Sequence, residues 1–447
     1  MKQGMSEERA ISERTVAFHT LGCKVNQYDT QAMRERFERA GYRTVGFDEA
    51  ADVYVVNTCT VTGTGDKKSM QTIRRCHRRN PNAAIVVTGC LAQRAADELT
   101  LPGVRLVLGT QRRAEVVELL EQALGQDCAL IAVSTLRRAP FERLTVHANE
   151  GHTRATMKIQ EGCDRFCSYC IIPSVRGPIR SRPLDDIRAE ARSLADEGFA
   201  EIVLTGIHLT SYGRDMGGEV ALTDAIRAVH EVDGIRRIRL GSLEPVIVTP
   251  AFVEELKGLP KACHQFHLAL QSGSDTVLRR MRRRYTSGEF LTSCRLLREA
   301  FDDCTLTTDV MTGFPGETEE EFAQTMATCE SAGFARMHVF PYSEREGTKA
   351  AQMEGSVPKA LREERARRLI ALGRELERAA LEARIGKTEE VLFEETDEAG
   401  RSAGYTGSYL RVSATGGWPG AIRRVRLTGI ENGELVGECE PETHTNM

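Results

Sequence analysis

Short apolar runs alternate with amphipathic stretches along most of this 447-residue chain, and that alternation limits the fold more than any other feature. Over residues 15–125 the predicted strands are residues 15–22, 53–58, 84–89 and 104–109, with predicted helices at 30–42 and 67–79. Strands and helices in alternation are typical of a parallel sheet covered by helices. The sequence therefore predicts an open parallel α/β domain over residues 15–126.

A longer alternation begins near residue 153. Its predicted strands are residues 155–160, 201–206, 237–241, 266–270, 305–313 and 336–342. Strands with helices between them in this number predict a partial (β/α)6 barrel, which we place at residues 149–380. A long charged helix predicted over residues 357–386 closes this region or bridges to the next.

Residues 387–442 change to short β-type runs separated by glycine. This pattern predicts a small antiparallel β-barrel, placed at residues 381–443, of a type that often binds nucleic acid. Basic clusters at residues 74–79 and 279–284 could neutralise RNA phosphates. The alternative interpretation of each arginine is that it lies on a solvated, charged face. The barrel residues expected to meet phosphates and bases are Tyr405, Tyr409, Arg411, Arg423, Arg424 and Arg426.

Composition narrows the class of protein. Hydrophobic residues make up 41% of the chain and charged residues 28%, which is enough for packed cores. No run approaches the roughly 18 apolar residues that span a bilayer, and residues 1–14 are polar, so we expect a cytoplasmic protein without a membrane partner. Disulfides are disfavoured in that compartment, so clusters among the 13 cysteines are interpreted as metal ligands or redox groups.

Cys163, Cys167 and Cys170 lie just after the first predicted strand of the barrel. Three thiolates so close in sequence can hold one metal centre, and a [4Fe–4S] cluster with three cysteine ligands leaves one iron open to another ligand. A closed zinc site needs a fourth ligand, such as a second cysteine pair or a nearby histidine, and none follows. The spacing therefore favours an iron–sulfur cluster.

Cys23, Cys59 and Cys90 are far apart in sequence, but each follows a predicted strand of the first domain. The carboxyl ends of parallel strands meet at one edge of a sheet, so these thiols are predicted to converge as a second set of ligands. The alternative is three ordinary buried cysteines. The remaining cysteines lack such a context and are interpreted as packing or surface residues: Cys76, Cys128, Cys263, Cys294, Cys304, Cys329 and Cys439.

The CxxxCxxC spacing resembles that of the radical S-adenosylmethionine (SAM) enzymes, and residues 15–442 as a whole resemble their methylthiotransferase family. The C-terminal barrel resembles the RNA-binding TRAM domain. A sister branch that acts on isopentenyladenosine in tRNA typically carries Gln-Asn where Ile207 and His208 stand here, and a third branch modifies a ribosomal protein. The segments most similar to the branch that acts on N6-threonylcarbamoyladenosine in tRNA are residues 20–30, 57–75, 204–213 and 340–348.

The resemblance implies two [4Fe–4S] clusters and SAM as cofactors. Cys163, Cys167 and Cys170 are then ligands of the cluster that binds SAM, while Cys23, Cys59 and Cys90 are ligands of an auxiliary cluster that carries the sulfur. One SAM would methylate that sulfur, and a second would supply the radical that abstracts hydrogen from C2 of the adenine. The implied partners are the anticodon stem-loop of tRNA and an external electron donor such as flavodoxin or ferredoxin. The oligomeric state stays open.

Other family-like segments end predicted barrel strands, where the active sites of such barrels form. Strand-end caps or loop hydrogen bonds are the alternative interpretation of these residues. The candidates for SAM contact are the backbone of Gly206 and the side chains of Ser242, Glu244, Gln271 and Asp309.

The sequence leaves three functions open. The first is methylthiolation of threonylcarbamoyladenosine in tRNA, and the second is the same chemistry on isopentenyladenosine or on a ribosomal protein. The third is a non-catalytic RNA-binding iron–sulfur protein that carries electrons or senses redox state. Electron carriers usually have clusters ligated fully by protein, so two triplets with open positions argue against the third function.

Overall fold

The computed structural model describes residues 14–137, 139–146 and 153–441. The strands of its first unit are β1 (Thr15–Thr20), β2 (Arg43–Thr44), β3 (Val53–Thr58), β4 (Ala84–Gly89), β5 (Val104–Leu108) and β6 (Leu130–Ala132). They form one parallel sheet in the order β2-β1-β3-β4-β5-β6. The connecting helices are α1 (Lys24–Arg39), α2 (Gly63–Arg79), α3 (Cys90–Arg94) and α4 (Val116–Leu124). The predicted open parallel α/β architecture is confirmed.

The central strands β3 and β4 are buried along their whole length. Val55 packs into the core on one face of the sheet, and Tyr54 and Val56 pack into the core on the other. Because helices cover both faces, these strands are almost continuously apolar. Helix α1 begins earlier than predicted, since its first turns bury the polar residues Asn26 and Asp29, which an apolar pattern does not reveal. The edge strands β2 and β6 are too short to be predicted, and β6 extends the sheet beyond residue 126.

The second unit is an open barrel of six parallel strands. They are β7 (Arg154–Glu161), β9 (Glu201–Gly206), β10 (Arg237–Leu240), β11 (Gln265–His267), β12 (Thr305–Thr312) and β13 (Arg336–Pro341), and the short β8 (Arg180–Ser181) pairs antiparallel with β7. Ladders join neighbouring strands, and the bridges Ile238–Ala262 and Leu243–Leu268 connect β10 to the β11 side. The predicted partial (β/α)6 barrel is confirmed.

Helices enclose the outer face of this barrel and form its largest apolar core with outward-facing strand residues such as Ile202 and Leu204. Helix boundaries follow local capping: Thr318 and Glu321 bond each other's backbone N–H, and Gly333 ends the same helix with a φ of +58°. The helices are α5 (Ile172–Arg176), α6 (Leu184–Asp196), α7 (Leu222–His230), α8 (Pro250–Lys257), α9 (Asp275–Arg280), α10 (Ser287–Ala300), α11 (Glu319–Ala332) and α12 (Lys359–Glu382).

The third unit is a small closed β-barrel. Its strands are β14 (Thr388–Thr396), β15 (Arg401–Thr406), β16 (Arg411–Thr415), β17 (Ile422–Glu431) and β18 (Glu434–Cys439), arranged β14-β15-β16-β18-β17. All neighbours are antiparallel except β16 and β18, which run parallel. Val391, Phe393 and Val412 are among its buried core residues. The predicted small barrel is confirmed, with one parallel pair within it.

The small barrel docks on the amino ends of the larger barrel's strands. Arg239 donates to the carbonyl of Gly407 at 3.0 Å, and its guanidinium lies 4.6 Å from the ring centre of Tyr409. Tyr409 stacks on Tyr405 with ring centres 4.7 Å apart, and Arg154 lies over both rings. Both tyrosine rings are therefore engaged within the protein, and their contact with RNA bases stays a prediction. No helix in the described part of the chain is long and apolar enough to cross a membrane.

Candidate functional site

The structure brings Cys23, Cys59 and Cys90 to one edge of the first sheet. They follow β1, β3 and β4, which are neighbours in the sheet. A Cβ built on Gly22 would lie 3.0 Å from both Cβ and Sγ of Cys59, so the loop that carries Cys23 runs directly against Cys59. We call these three cysteines the dispersed triplet.

The dispersed triplet is a set of free thiols in graded burial, from exposed Cys23 through half-buried Cys59 to buried Cys90. Burial raises the pKa of Cys90 to about 11, and the charges of Cys23 and Cys59 add to that rise. The three sulfurs are therefore within electrostatic reach of one another. Metal binding requires thiolates, so it would release protons from these groups.

Cys163, Cys167 and Cys170 occupy the loop after β7, and we call them the local triplet. The loop turns back on itself at Gly162, where φ is +73° and an added Cβ would lie 1.9 Å from the carbonyl oxygen of Pro178. The Cys163 N–H donates to Gly177 and the Cys170 N–H donates to Cys167, each at 3.0 Å. Burial raises the pKa of Cys163 to about 11 and that of Cys170 to about 12.

Within residues 14–137, 139–146 and 153–441, no three His, Cys, Asp or Glu side chains meet as the ligands of one metal ion would. A [4Fe–4S] cluster makes a different demand, because each thiolate binds its own iron and the ligands stand apart. Each triplet offers three unbridged thiols at the carboxyl edge of a parallel sheet. This donor set fits a cluster with one open iron.

Helix α5 connects the two triplets. It begins two residues after Cys170, and Ile171 and Val175 pack against Cys90 of the dispersed triplet. The hydroxyl of Thr110 donates to the carbonyl of Val175 at 2.8 Å and fixes the helix against the first sheet. The two triplets are therefore joined by one short, packed segment.

A buried ionic cluster, which sequence analysis missed, lies beside that segment. Arg176 is fully buried and lies 3.1 Å from Asp29 and 3.0 Å from Glu161. Lys158 and Arg113 also pair with Asp29. Burial tends to raise the pKa of Glu161, but Arg176 and Lys158 outweigh it and hold that pKa below its usual range. The one sequence signal was a lysine and a glutamate in the otherwise uncharged core of β7.

Glu244 lies buried beyond the end of β10. Its carboxylate lies 2.8 Å from Arg165, 3.3 Å from Arg283 and 3.3 Å from His208. Burial tends to raise the pKa of Glu244, but the hydrogen bond from His208 and the charge of Arg283 hold it lower. This carboxylate organises cations close to the local triplet.

The other predicted SAM-contacting residues lie at the same end of the barrel. A Cβ on Gly206 would lie 2.8 Å from that of Gln160, so the backbone there passes too closely for a side chain. Ser242 is exposed. Gln271 is buried with a φ of +64°, and its N–H donates to the carbonyl of Asp309 at 2.8 Å. The Asp309 carboxylate is one-third exposed and lies 3.2 Å from His267.

A cavity of about 370 Å³ lies between helix α1, the inner face of β7 and β9, and the small barrel. Its walls are mostly polar, and Lys24 enters it directly beside Cys23. Arg154, the other cation of this cavity, is paired with Glu394 at 2.6 Å. The lining residues are Lys24, Gln27, Tyr28, Gln31, Thr153, Arg154, Thr156, Val203, Glu394, Glu395 and Tyr409.

Two family models match the chain: "Uncharacterized protein family UPF0004" over residues 15–109, and the "Radical SAM superfamily" over residues 157–329. The threonylcarbamoyladenosine tRNA methylthiotransferase MtaB of Bacillus subtilis is 44% identical, covering 97% of this chain and 99% of that protein. The chain belongs to the methylthiotransferase family of radical SAM enzymes, in its MtaB-like branch.

Other relatives of this radical SAM methylthiotransferase span two branches. MtaB of Thermotoga maritima is 36% identical over 96% of this chain and 98% of that protein. The tRNA-2-methylthio-N(6)-dimethylallyladenosine synthase of Salinispora arenicola is 35% identical over 98% of this chain and 86% of that protein. These matches extend beyond both family models and cover nearly the whole methylthiotransferase chain.

A solved structure supports the fold of the methylthiotransferase. The radical SAM methyltransferase TsrM of Kitasatospora setae matches with a TM-score of 0.56 at 14% identity, over 76% of this chain and 74% of that one. Membership of the radical SAM family implies SAM and one [4Fe–4S] cluster, and the local triplet lies at the start of the matched barrel. The non-catalytic alternative from sequence analysis is set aside, because the family is one of enzymes.

Proposed function

We propose that this methylthiotransferase inserts a methylthio group at C2 of the adenine in N6-threonylcarbamoyladenosine, next to the anticodon of tRNA. The observation that carries the proposal is the presence of two free-thiol triplets, each at a strand-end edge, joined by helix α5. One triplet suffices for SAM cleavage, so a second supports a site for the transferred sulfur. The identity to the Bacillus enzyme over nearly the full length supports the same nucleoside as substrate.

Two [4Fe–4S] clusters follow from this proposal. The local triplet holds the one that binds SAM, and the dispersed triplet holds the auxiliary one. When bound, they supply the electron for SAM cleavage and the site of the transferred sulfur. Two SAM molecules are consumed: one gives its methyl group and leaves as S-adenosylhomocysteine, and the other leaves as methionine and 5′-deoxyadenosine. The electron comes from an external donor such as flavodoxin or ferredoxin.

The protein's own contribution at the SAM site is positioning. Gly206 carries no side chain, so its backbone can lie against the amino-acid part of SAM. The exposed hydroxyl of Ser242 can donate or accept a hydrogen bond, and the one-third-exposed carboxylate of Asp309, which also pairs with His267, can accept one from a SAM hydroxyl. Glu244 acts mainly through Arg165 and Arg283, which it holds in place. The residues proposed to contact or frame SAM are Gly206, Ser242, Glu244, Gln271 and Asp309.

The polar cavity beside Cys23 supports a polar nucleoside substituent. A threonylcarbamoyl group carries a carboxylate and a hydroxyl, whereas a dimethylallyl group is a hydrocarbon. Lys24 offers an ammonium to that carboxylate, and Gln27 and Gln31 follow it along the same helix. A hydrocarbon in this cavity would leave these polar groups unpaired, which is costly.

An exposed aromatic on the small barrel supports tRNA as the partner. Trp418, the only tryptophan of the chain, is half exposed, and the guanidinium of Arg423 lies 5.0 Å from its ring centre. Flat aromatic rings next to cations stack on bases and meet phosphates. We place the reaction in the cytoplasm, where its tRNA substrate is found.

The test uses reconstituted protein with SAM, a chemical reductant and one of two otherwise identical tRNAs. One tRNA carries threonylcarbamoyladenosine and the other carries dimethylallyladenosine, and digested nucleosides are identified by mass spectrometry. We expect the 2-methylthio product only from the first. Product from the dimethylallyl tRNA alone would show that dimethylallyladenosine is the substrate instead. Absence of product from both tRNAs would overturn the proposal. Quenching of Trp418 fluorescence reports tRNA binding separately from catalysis.

A further inference from the structure

Each cysteine triplet contains one sulfur that accepts a hydrogen bond from a buried arginine. Nε of Arg176 lies 3.2 Å from Sγ of Cys90 in the dispersed triplet. Nη1 of Arg283 lies 3.4 Å from Sγ of Cys167 in the local triplet. The side chain of Arg176 is fully buried and that of Arg283 is 7% exposed, so neither bond competes freely with water.

Arg176 is held from three sides. Its Nη1 lies 3.1 Å from Asp29 and 3.0 Å from Glu161, and its Nη2 donates to the side chain of Asn26. These partners come from α1 and β7, while Arg176 ends α5. With its other nitrogens committed, the guanidinium can turn only Nε toward Cys90.

Arg283 is held in a similar way by unrelated residues. Its Nη2 lies 3.3 Å from the Glu244 carboxylate, and its Nε donates to the hydroxyl of Tyr285 at 3.0 Å. That hydroxyl in turn donates to the carbonyl of Ala269 at 2.6 Å. The two arginines thus repeat one arrangement: carboxylate anchor, buried guanidinium, cysteine sulfur.

A hydrogen bond to a ligating sulfur withdraws electron density from it and raises the reduction potential of the cluster it binds. Arginine stays charged at every physiological pH and its N–H groups point in fixed directions, so it provides this effect permanently. We propose that Arg176 and Arg283 are paired positioning residues, each of which orients one ligand and sets the reduction potential of its own cluster. This inference rests on the two-cluster reading of the proposed function.

The arrangement gives each cluster a separate control. The anchors of Arg176 bridge the first sheet and the barrel, whereas those of Arg283 lie within the barrel. Because each guanidinium donates to a sulfur of one triplet only, we expect a change at one arginine to shift the potential of that triplet's cluster. If the two arginines only formed structural ion pairs, their replacement would change the stability of the protein and leave both potentials unchanged.

The test compares single-cluster proteins made in the full-length chain. Replacement of Cys163, Cys167 and Cys170 by alanine leaves only the dispersed triplet, and replacement of Cys23, Cys59 and Cys90 leaves only the local one. Arg176→Lys and Arg283→Lys are introduced into each background, and midpoint potentials are measured by redox titration monitored by electron paramagnetic resonance. Lysine keeps the charge but cannot reproduce the anchored guanidinium.

We expect Arg176→Lys to lower the potential of the dispersed-triplet cluster and to leave the local one unchanged, and Arg283→Lys to do the reverse. Unchanged potentials at full iron content, or equal shifts of both clusters by either change, would overturn the inference. Iron absent from the dispersed-triplet protein would overturn the two-cluster function itself, and the inference with it. The iron content therefore separates the two failures.

A second measurement needs no arginine variant. Protein labelled with arginine that carries ¹⁵N only in its guanidino group is reconstituted in each single-cluster background, and the reduced cluster is examined by pulsed electron paramagnetic resonance. A nitrogen coupling in both backgrounds is the expected result, because one guanidinium donates to a ligand of each triplet. Absence of the coupling in either background would contradict the proposed hydrogen bond there.

Discussion

The local and dispersed triplets each supply three free thiols, but they are built by opposite routes. The local triplet occupies one loop whose turn depends on Gly162 and a few backbone hydrogen bonds. The dispersed triplet takes one cysteine from each of three strand ends, so it exists only when β1, β3 and β4 are paired. One site is therefore a property of a segment, and the other is a property of a whole sheet.

That difference has a chemical counterpart. In the local triplet all three cysteines share one stretch of backbone at the carboxyl end of β7, the end of the barrel where we propose that SAM binds. In the dispersed triplet the three loops approach from separate strands, and Cys23 stays exposed next to the polar cavity. An exposed thiol beside a cavity fits the proposed role of this triplet, which is to pass a sulfur atom to a large substrate.

The largest expected effect is a difference in the reaction products that form when one or the other triplet is replaced by alanine. Alanine replacement of the local triplet is expected to abolish formation of 5′-deoxyadenosine, because no cluster remains to cleave SAM. Alanine replacement of the dispersed triplet is expected to keep that cleavage while removing the methylthio nucleoside. Both products are quantified by mass spectrometry in one reaction. Methylthio product from the second variant would contradict a sulfur-carrying role for the dispersed triplet.

A smaller effect is expected from strain at the sheet edge. Gly89, which precedes Cys90, has a φ of +96°, and an added Cβ would lie 2.4 Å from the Asn57 side chain and 2.5 Å from the Thr58 carbonyl. We expect Gly89→Ala to lower the free energy of unfolding by about 2–4 kcal/mol, from roughly 1–2 kcal/mol of backbone strain and a similar overpacking cost. It should also remove iron from the dispersed triplet alone.

The matched control for this change is Gly198→Ala. Gly198 has a φ of +90°, but an added Cβ would meet nothing within 4 Å. The Gly198→Ala change therefore introduces the backbone strain without the clash. We expect it to lower the free energy of unfolding, measured in urea, by about 1–2 kcal/mol. If both changes destabilise the protein equally and both variants keep their full iron content, the sheet edge at residue 89 tolerates an added methyl group.

The two triplets also show how far sequence reasoning reaches. The spacing of the local triplet can be seen directly in the sequence. The dispersed triplet is predicted by one topological rule, that the carboxyl ends of parallel strands meet at one edge of a sheet. The arginine contacts follow from neither. Arg176 meets Cys90 because α5 packs on the first sheet, and no periodicity records that approach. The contact between Tyr409 and Arg239 is likewise absent from any sequence pattern, because the two residues belong to different units.

The smallest effect concerns the substituent of the nucleoside. Lys24 lies next to Cys23 of the dispersed triplet and enters the polar cavity, where the other cation, Arg154, is already paired with Glu394. If Lys24 binds the carboxylate of the threonylcarbamoyl group, Lys24→Gln removes one charge-assisted hydrogen bond. Since such a bond contributes about 1.5–3 kcal/mol, we expect KM for that tRNA to rise by roughly tenfold or more. The unmodified tRNA should bind as before.

Lys349→Gln is the matched control beside the local triplet. Lys349 is exposed, and the next residue, Ala350, donates its N–H to Ser168 between two of the local cysteines at 2.8 Å. Loss of a cation there should leave KM unchanged, because the substituent is bound on the side of the dispersed triplet. A similar rise in KM for both variants would show that Lys24 acts only by general electrostatic attraction for tRNA. In that case KM would also depend strongly on salt concentration. A rise for Lys24→Gln alone, insensitive to salt, assigns recognition of the substituent to the cavity beside Cys23.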